Sequence, residues 1–146
     1  MSDTNDVQSI IQEAIASFDE HRMKKFRELL SQDAILIPGG KALVIEGPNA
    51  IVEAIQPTLD AIPDLTVKIT NTFTCANKGV VEVIRSGTHT GVARLPNGQL
   101  VNPTGKKVEL PECLVFEVLE GKIKKMVTYV DMLDTLQQLG VIPKAP

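Results

Sequence analysis

The chain is expected to fold as one α+β domain spanning residues 1–146, a cone-shaped, strongly curved antiparallel sheet with N-terminal helices and a cavity on its concave face. Three observations predict this. Apart from a short C-terminal helix, helical periodicity falls within the first 61 residues, where apolar side chains recur at i, i+3, i+4 and i+7. From Leu65 onward the pattern switches to the two-residue alternation of strands. Turn signals at Asn77-Lys78-Gly79 and Glu120-Gly121 then separate long apolar runs, as in an antiparallel meander. Helices followed by consecutive strands indicate segregated α+β packing rather than alternating βαβ units.

Taken in order, Asp6 is expected to cap a helix from Val7 to about His21, with Val7, Ile10, Ile11, Ala14, Ile15 and Phe18 on one face. Met23, Phe26, Leu29 and Leu30 continue as a second short helix after the polar break at Asp19–Arg22. Residues 34–38 form a short strand ended by Pro38-Gly39-Gly40, and Ala42 to Ile45 pairs back against it. Gly47-Pro48 opens a helix from Asn49 to about Ala61, which Pro57 is expected to kink or shorten. Leu65 to Thr74 places Leu65, Val67, Ile69, Asn71 and Phe73 on one face, and Val80 to Thr90 returns antiparallel. The Pro- and Gly-containing run 95–107 reads as a loop with a minor hairpin. Two long strands, Val108–Leu119 and Ile123–Val130, lead to a short helix from Met132 to Leu139 that stops at Gly140. A sheet curved over its helices encloses a mostly apolar cavity, the default ligand site of such an architecture.

Composition excludes several function classes. At 146 residues, 43% hydrophobic and 23% charged, the chain is an ordinary globular domain. Its net charge of -3, scattered cations, single Tyr and absence of Trp argue against a nucleic-acid surface or a base-stacking platform. Cys75 and Cys113, far apart in β-like stretches, read as two reduced, buried thiols. The polar start MSDTNDVQS lacks the pattern of a secretory signal, and no apolar run approaches the roughly 20 residues of a membrane span. The expectation is a soluble, cytoplasmic protein that engages neither membrane nor nucleic acid. No phosphate loop follows Gly39-Gly40, no GxSxG elbow occurs, and Glu112, His89 and Asp131 lack metal-ligand spacing, so no metal is expected.

Six segments in register resemble one family. They are EGPNAI (Glu46–Ile51), IPDL (Ile62–Leu65), GTHTG (Gly87–Gly91), PTGKKV (Pro103–Val108), EGKI (Glu120–Ile123) and YVDMLDTLQQLGVIP (Tyr129–Pro143). Together they resemble the SnoaL-like polyketide cyclases, which adopt the nuclear-transport-factor-2-like α+β cone. The resemblance covers nearly the whole chain. It implies a small, cofactor-free protein that pairs as a homodimer through the outer face of its sheet. It also implies acid/base chemistry by enolisation, an isomerase or cyclase activity on a hydrophobic, carbonyl-bearing small molecule. The family's catalytic Asp on the last strand falls on Thr128 here, and its His, Gln and Asn positions fall on Leu114, Glu112 and Ile37. A non-catalytic ligand-binding or dimerisation module of the same fold is therefore the rival expectation.

Alternation sets Val108, Leu110, Glu112, Leu114, Phe116 and Val118 on one face, and the resemblance makes that face the cavity wall. Met126, Thr128 and Val130 share it from the next strand. Glu112 is then a carboxylate among apolar residues, where desolvation raises its pKa into a range useful for proton transfer. Pairing with Arg85 or Arg94 is the structural alternative, and Pro111 beside it hints at a bulge that would flip the face. Asp131 is a second candidate proton acceptor or else a helix cap. His89 is a proton-transfer candidate or else a structural hydrogen-bonding residue. The candidate catalytic residues are thus Glu112, Asp131 and His89. Thr128, Tyr129, Leu114, Phe116, Met126 and Phe18 are expected to contact the ligand, with Thr128, Tyr129 or His89 donating to an enolate oxygen.

Overall fold

A computed structural model describes residues 4–40, 43–95 and 97–144. The chain opens with α1 (Thr4–Asp19) and α2 (Met23–Leu29), then β1 (Leu30–Pro38), β2 (Ile45–Glu46) and α3 (Pro48–Ala61). The β-rich half follows as β3 (Thr66–Cys75), β4 (Lys78–Thr88), the short pair β5 (Ala93–Arg94) and β6 (Leu100–Val101), β7 (Lys107–Leu119) and β8 (Lys122–Val130). Helix α4 (Met132–Gln138) ends the described fold. Six strands form one curved sheet in the order β2-β1-β8-β7-β4-β3, while β5 and β6 make a separate hairpin.

The sheet is mixed rather than wholly antiparallel. β1 runs parallel to β8, with Leu36 opposite Met126 and Pro38 opposite Thr128. Parallel neighbours need a long crossover, and everything from β2 to β7 serves as one. Periodicity within a strand carries no information about so distant a partner, so the sequence could not reveal this pairing.

Why the helices lie on one face follows from their stripes. Val7, Ile11, Ala14 and Ile15 of α1 are buried against Val81 and Val83 of β4 and Leu114, Phe116 and Val118 of β7. The α1 stripe approaches so closely at Gly79 that any Cβ there would collide with the tip of Ile11. A second cluster joins Leu65, Val108, Leu110 and Leu139 at the other end. The α1–α2 corner is latched to β3 by polar bonds: Val67 N–H donates to Asp19 Oδ1 at 2.6 Å, and His21 Nε2 donates to the Leu65 carbonyl at 2.8 Å. His21 thus has a structural partner although it is exposed.

Several boundaries differ from expectation. Asp6 lies within the first turn of α1, where its charge complements the helix dipole, and does not cap it. Pro57 does not shorten α3, which continues to Ala61. The carbonyl that loses its partner there belongs to exposed Glu53, which water can satisfy. The early turn is Ala76-Asn77, with Ala76 at φ 52°, and Gly79 lies inside β4. In β3 the register to β4 shifts between Ile69 and Asn71. That bulge inverts the alternation, so Phe73 turns outward and is 61% exposed instead of sharing a face with Val67 and Ile69. Cys75 is exposed and Cys113 half-buried, and both are free thiols, so the expectation of two buried thiols fails. Ala42, placed in the second short strand from sequence, lies outside the described residues.

Pro111 introduces no bulge. The β4–β7 ladder runs unbroken from Lys78 opposite Glu117 to Thr88 opposite Lys107. On its other flank the β8 pairing begins only at Glu112, opposite Val130, so the missing Pro111 N–H costs no bond to β8. The alternation of β7 therefore survives, and Glu112 stays on the concave face.

Candidate functional site

The concave face and its helices enclose a cavity of about 420 Å³. β7 contributes Glu112, Leu114 and Phe116, β8 contributes Met126, Thr128 and Val130, and β4 contributes Val83 and Arg85. Phe18 of α1 and Ile55 and Thr58 of α3 close the opposite side. Leu43 and Met132 line the cavity yet remain exposed, which marks its mouth between the β1–β2 connection and the start of α4.

Glu112 and Arg85 are the charged residues of this wall. Val83 pairs directly with Glu112 across the β4–β7 ladder. Arg85 is the next residue of β4 on the same face, which puts it on the diagonal, within reach of a long side chain. Arg85 Nη2 meets Glu112 Oε2 at 2.5 Å, with side-chain exposures of only 14% and 10%. Burial pushes the Glu112 carboxyl above the usual range, and the Arg85 guanidinium acts the other way without reversing it. Arg85 Nε is buried and donates to nothing. Thr128 adds a hydroxyl across the strand from Leu114. Chemically, the site offers a proton acceptor with raised affinity, a spare cationic donor and a neutral donor, all in apolar surroundings.

Three sequence candidates lie elsewhere. His89 is 0% exposed, but it sits beyond the end of β4, bound into the 103–106 loop. Its Nδ1 accepts from Thr104 Oγ1 at 2.9 Å and from the Thr104 N–H at 3.3 Å, which leaves the ring proton on Nε2. The backbone is tied as well: His89 N–H donates to Lys106 O, and Gly105 N–H donates to His89 O. Burial lowers the His89 pKa, opposed in part by the Gly91 backbone. Asp131 is the N-cap of α4, its Oδ1 accepting from Asp134 N–H at 3.0 Å, so its carboxylate serves the helix rather than the cavity. Tyr129 occupies the outer face, 49% exposed, with its ring against Gly40. Alternation dictates that placement, since Thr128 and Val130 on either side face inward. Phe18, Leu114, Phe116, Met126 and Thr128 do come together with Glu112 in the cavity wall.

From sequence, Arg85 is a candidate partner for Glu112 and not a cavity residue in its own right. The signal was available: Val81, Val83 and Arg85 alternate in VVEVIRS on one face of β4. The α3 contribution had no such signal, because the helix meets the sheet only in three dimensions. Among the described residues, no cluster of three or more His, Cys, Asp or Glu side chains could hold a metal ion.

An apolar cavity on the concave face of a curved sheet is the arrangement expected from the resemblance, although the sheet itself is mixed rather than antiparallel. The model of the SnoaL-like polyketide cyclases matches residues 8–139. The chain belongs to the SnoaL-like polyketide cyclase family. Among solved structures it is similar to AclR from Streptomyces galilaeus, named as a proposed hydroxylase, at 18% identity and a TM-score of 0.84, covering 99% of this chain and 87% of that one. It is also similar to IdmH from Streptomyces antibioticus, named as a proposed polyketide cyclase, at 23% identity and a TM-score of 0.75, covering 92% and 98%. A protein from Catenulispora acidiphila with a ketosteroid isomerase-like fold aligns at 16% identity and a TM-score of 0.73, covering 94% and 97%. At such identities the likeness is one of fold. No curated protein matches the sequence, and no helix of the described structure is long and apolar enough to cross a membrane.

Proposed function

We propose that this SnoaL-like protein is a cofactor-free isomerase or cyclase acting by acid/base enolisation on a hydrophobic, carbonyl-bearing small molecule. One observation carries the reading. Glu112 is a buried carboxylate on the wall of an apolar cavity, with its proton affinity raised by burial. Such a group removes a proton alpha to a carbonyl, and the Thr128 hydroxyl, on the same wall, donates to the developing enolate oxygen. Returning the proton at a different carbon gives isomerisation; attack of the enolate on a second carbonyl gives ring closure. Asp131, His89 and Tyr129 take no part in this step, because none of them lines the cavity.

The protein would act in the cytoplasm as a homodimer. The outer sheet face supports that pairing with Val80, Val115 and Val127 side by side across three strands, flanked by exposed Phe73 and Tyr129.

A binding module without catalysis is the second reading, favoured by Thr128 standing where the family's catalytic Asp is expected. The test is hydrogen–deuterium exchange at the alpha carbon of polycyclic and terpenoid ketones selected by thermal shift. Glu112→Gln should slow exchange by roughly 10²–10⁴-fold while ketone binding persists. Tight binding with no protein-catalysed exchange would favour the binding module.

A further inference from the structure

We propose that the cavity receives its ligand as a weak acid: an apolar compound bearing a phenolic or enolic hydroxyl, whose oxygen anion is held by Arg85 while its proton passes to Glu112. The assignment deepens the reading above and rests on Glu112 as the proton acceptor.

Three observations carry it. Of the described residues lining the cavity, Arg85 and Glu112 alone are charged. Arg85 reaches Glu112 through Nη2, whereas its Nε–H is buried with no acceptor, a donor left unused by the protein itself. Buried polar groups of this kind are normally satisfied, and a ligand oxygen beside Glu112 would satisfy this one. The third observation is charge balance. The empty cavity holds one cation and one anion, so its net charge is zero. When a hydroxyl O–H bond breaks and its proton forms a new O–H bond on the Glu112 carboxylate, the cavity holds the Arg85 cation, a neutral carboxyl and the ligand anion. The net charge is again zero, and no charge is added to an apolar site, where an uncompensated one is costly. A ligand that is already a carboxylate would leave an excess negative charge unless a proton were drawn from solvent. A cationic ligand would leave an excess positive one. Weak oxygen acids are the class that enters neutral and ionises in place. The same Arg85 contact would hold an enolate produced from a ketone. Burial favours this transfer by raising the affinity of Glu112 for the proton.

The probe is 4-nitrophenol, titrated into the full-length protein at a pH where the free compound is the colourless neutral phenol. Wild type should display the yellow phenolate band on binding, with no net proton uptake or release in weakly buffered solution. Glu112→Gln should retain the band but release one proton per bound probe, its affinity rising about tenfold per pH unit until the phenol itself ionises. Arg85→Met should lose the band and bind the probe at least about tenfold more weakly. Because that variant leaves Glu112 buried alone, the paired replacement Arg85→Met with Glu112→Leu provides a second test and should also show only the neutral phenol. A neutral phenol bound to wild type, no binding by wild type, or a phenolate band persisting in both Arg85 variants would overturn the assignment. Loss of ketone exchange with the phenolate band intact would sink the catalytic reading alone. Exchange in the absence of the band would sink this one alone.

Discussion

Replacing Arg85 by methionine keeps most of the side-chain volume and removes the cation that faces Glu112. The Glu112 side chain is only 10% exposed and Arg85 only 14%, so solvent cannot replace the lost partner. Breaking one side of such a buried pair costs about 3–5 kcal/mol, which for a domain of this size lowers Tm by on the order of 10 °C. The cost depends on pH in a defined direction. Glu112 already has a folded-state pKa above its ordinary value, so the folded protein binds its proton more tightly than the unfolded chain does. Stability from this group is full below the ordinary Glu pKa and is lost as pH rises toward the folded value. Removing Arg85 takes away the influence that opposes burial, so the window extends upward at about 1.4 kcal/mol per pH unit within it. The Arg85→Met penalty should therefore be large near about pH 8 and should shrink near about pH 5. The paired Arg85→Met, Glu112→Leu protein should recover most of the loss at both pH values, because no charge remains to be buried. Urea unfolding of the three proteins at the two pH values measures this through the midpoint. A penalty under about 1 kcal/mol for Arg85→Met, equal at both pH values, would refute the reasoning, since only a solvated Glu112 behaves that way.

Asp131→Ala should cost about 1 kcal/mol through loss of the α4 cap and leave ketone exchange unchanged; a large loss of exchange at unaltered stability would restore Asp131 to the chemistry. Burial holds the His89 pKa below the ordinary histidine value, so its contribution is present above that ordinary value and lost as pH falls through the folded one. His89→Gln should accordingly flatten the decline of stability just below the ordinary histidine pKa without changing ligand affinity, and an unchanged dependence of the urea midpoint on pH would contradict the placement. Gly91→Ala should destabilise by about 1–3 kcal/mol, because its Cβ would collide with the Asp60 backbone carbonyl; a thermal melt superimposable on wild type would show that the α3–β4 corner is looser than described.

The legible parts of this molecule are those in which one strand or helix explains itself. Alternation in residues 108–119 orients Glu112, Leu114 and Phe116 correctly, and the same rule places Thr128 inward. Applied to Tyr129, it would have removed that residue from the ligand-binding set. Legibility fails where a second element decides. The bulge after Ile69 reverses Phe73 because the register with β4, not the strand's own pattern, sets the face. His89 looks available for proton transfer in GTHTG, but its ring is buried outside the cavity with Nδ1 taken up by Thr104, a partner fifteen residues away. Arg85 stands in a visible alternation, yet its unused Nε–H appears only once the cavity closes around it.

If Glu112 is the proton acceptor of the cavity, its proton affinity answers to what fills the cavity. Carbon-13 labelling of the glutamate side chains, with Glu112→Gln to assign the resonance, follows that proton directly through an NMR titration. Glu112 should titrate above the ordinary carboxylate range, and its midpoint should move when 4-nitrophenol or a bound ketone occupies the cavity. A Glu112 resonance that titrates with the surface glutamates, and ignores both ligands, would contradict the account.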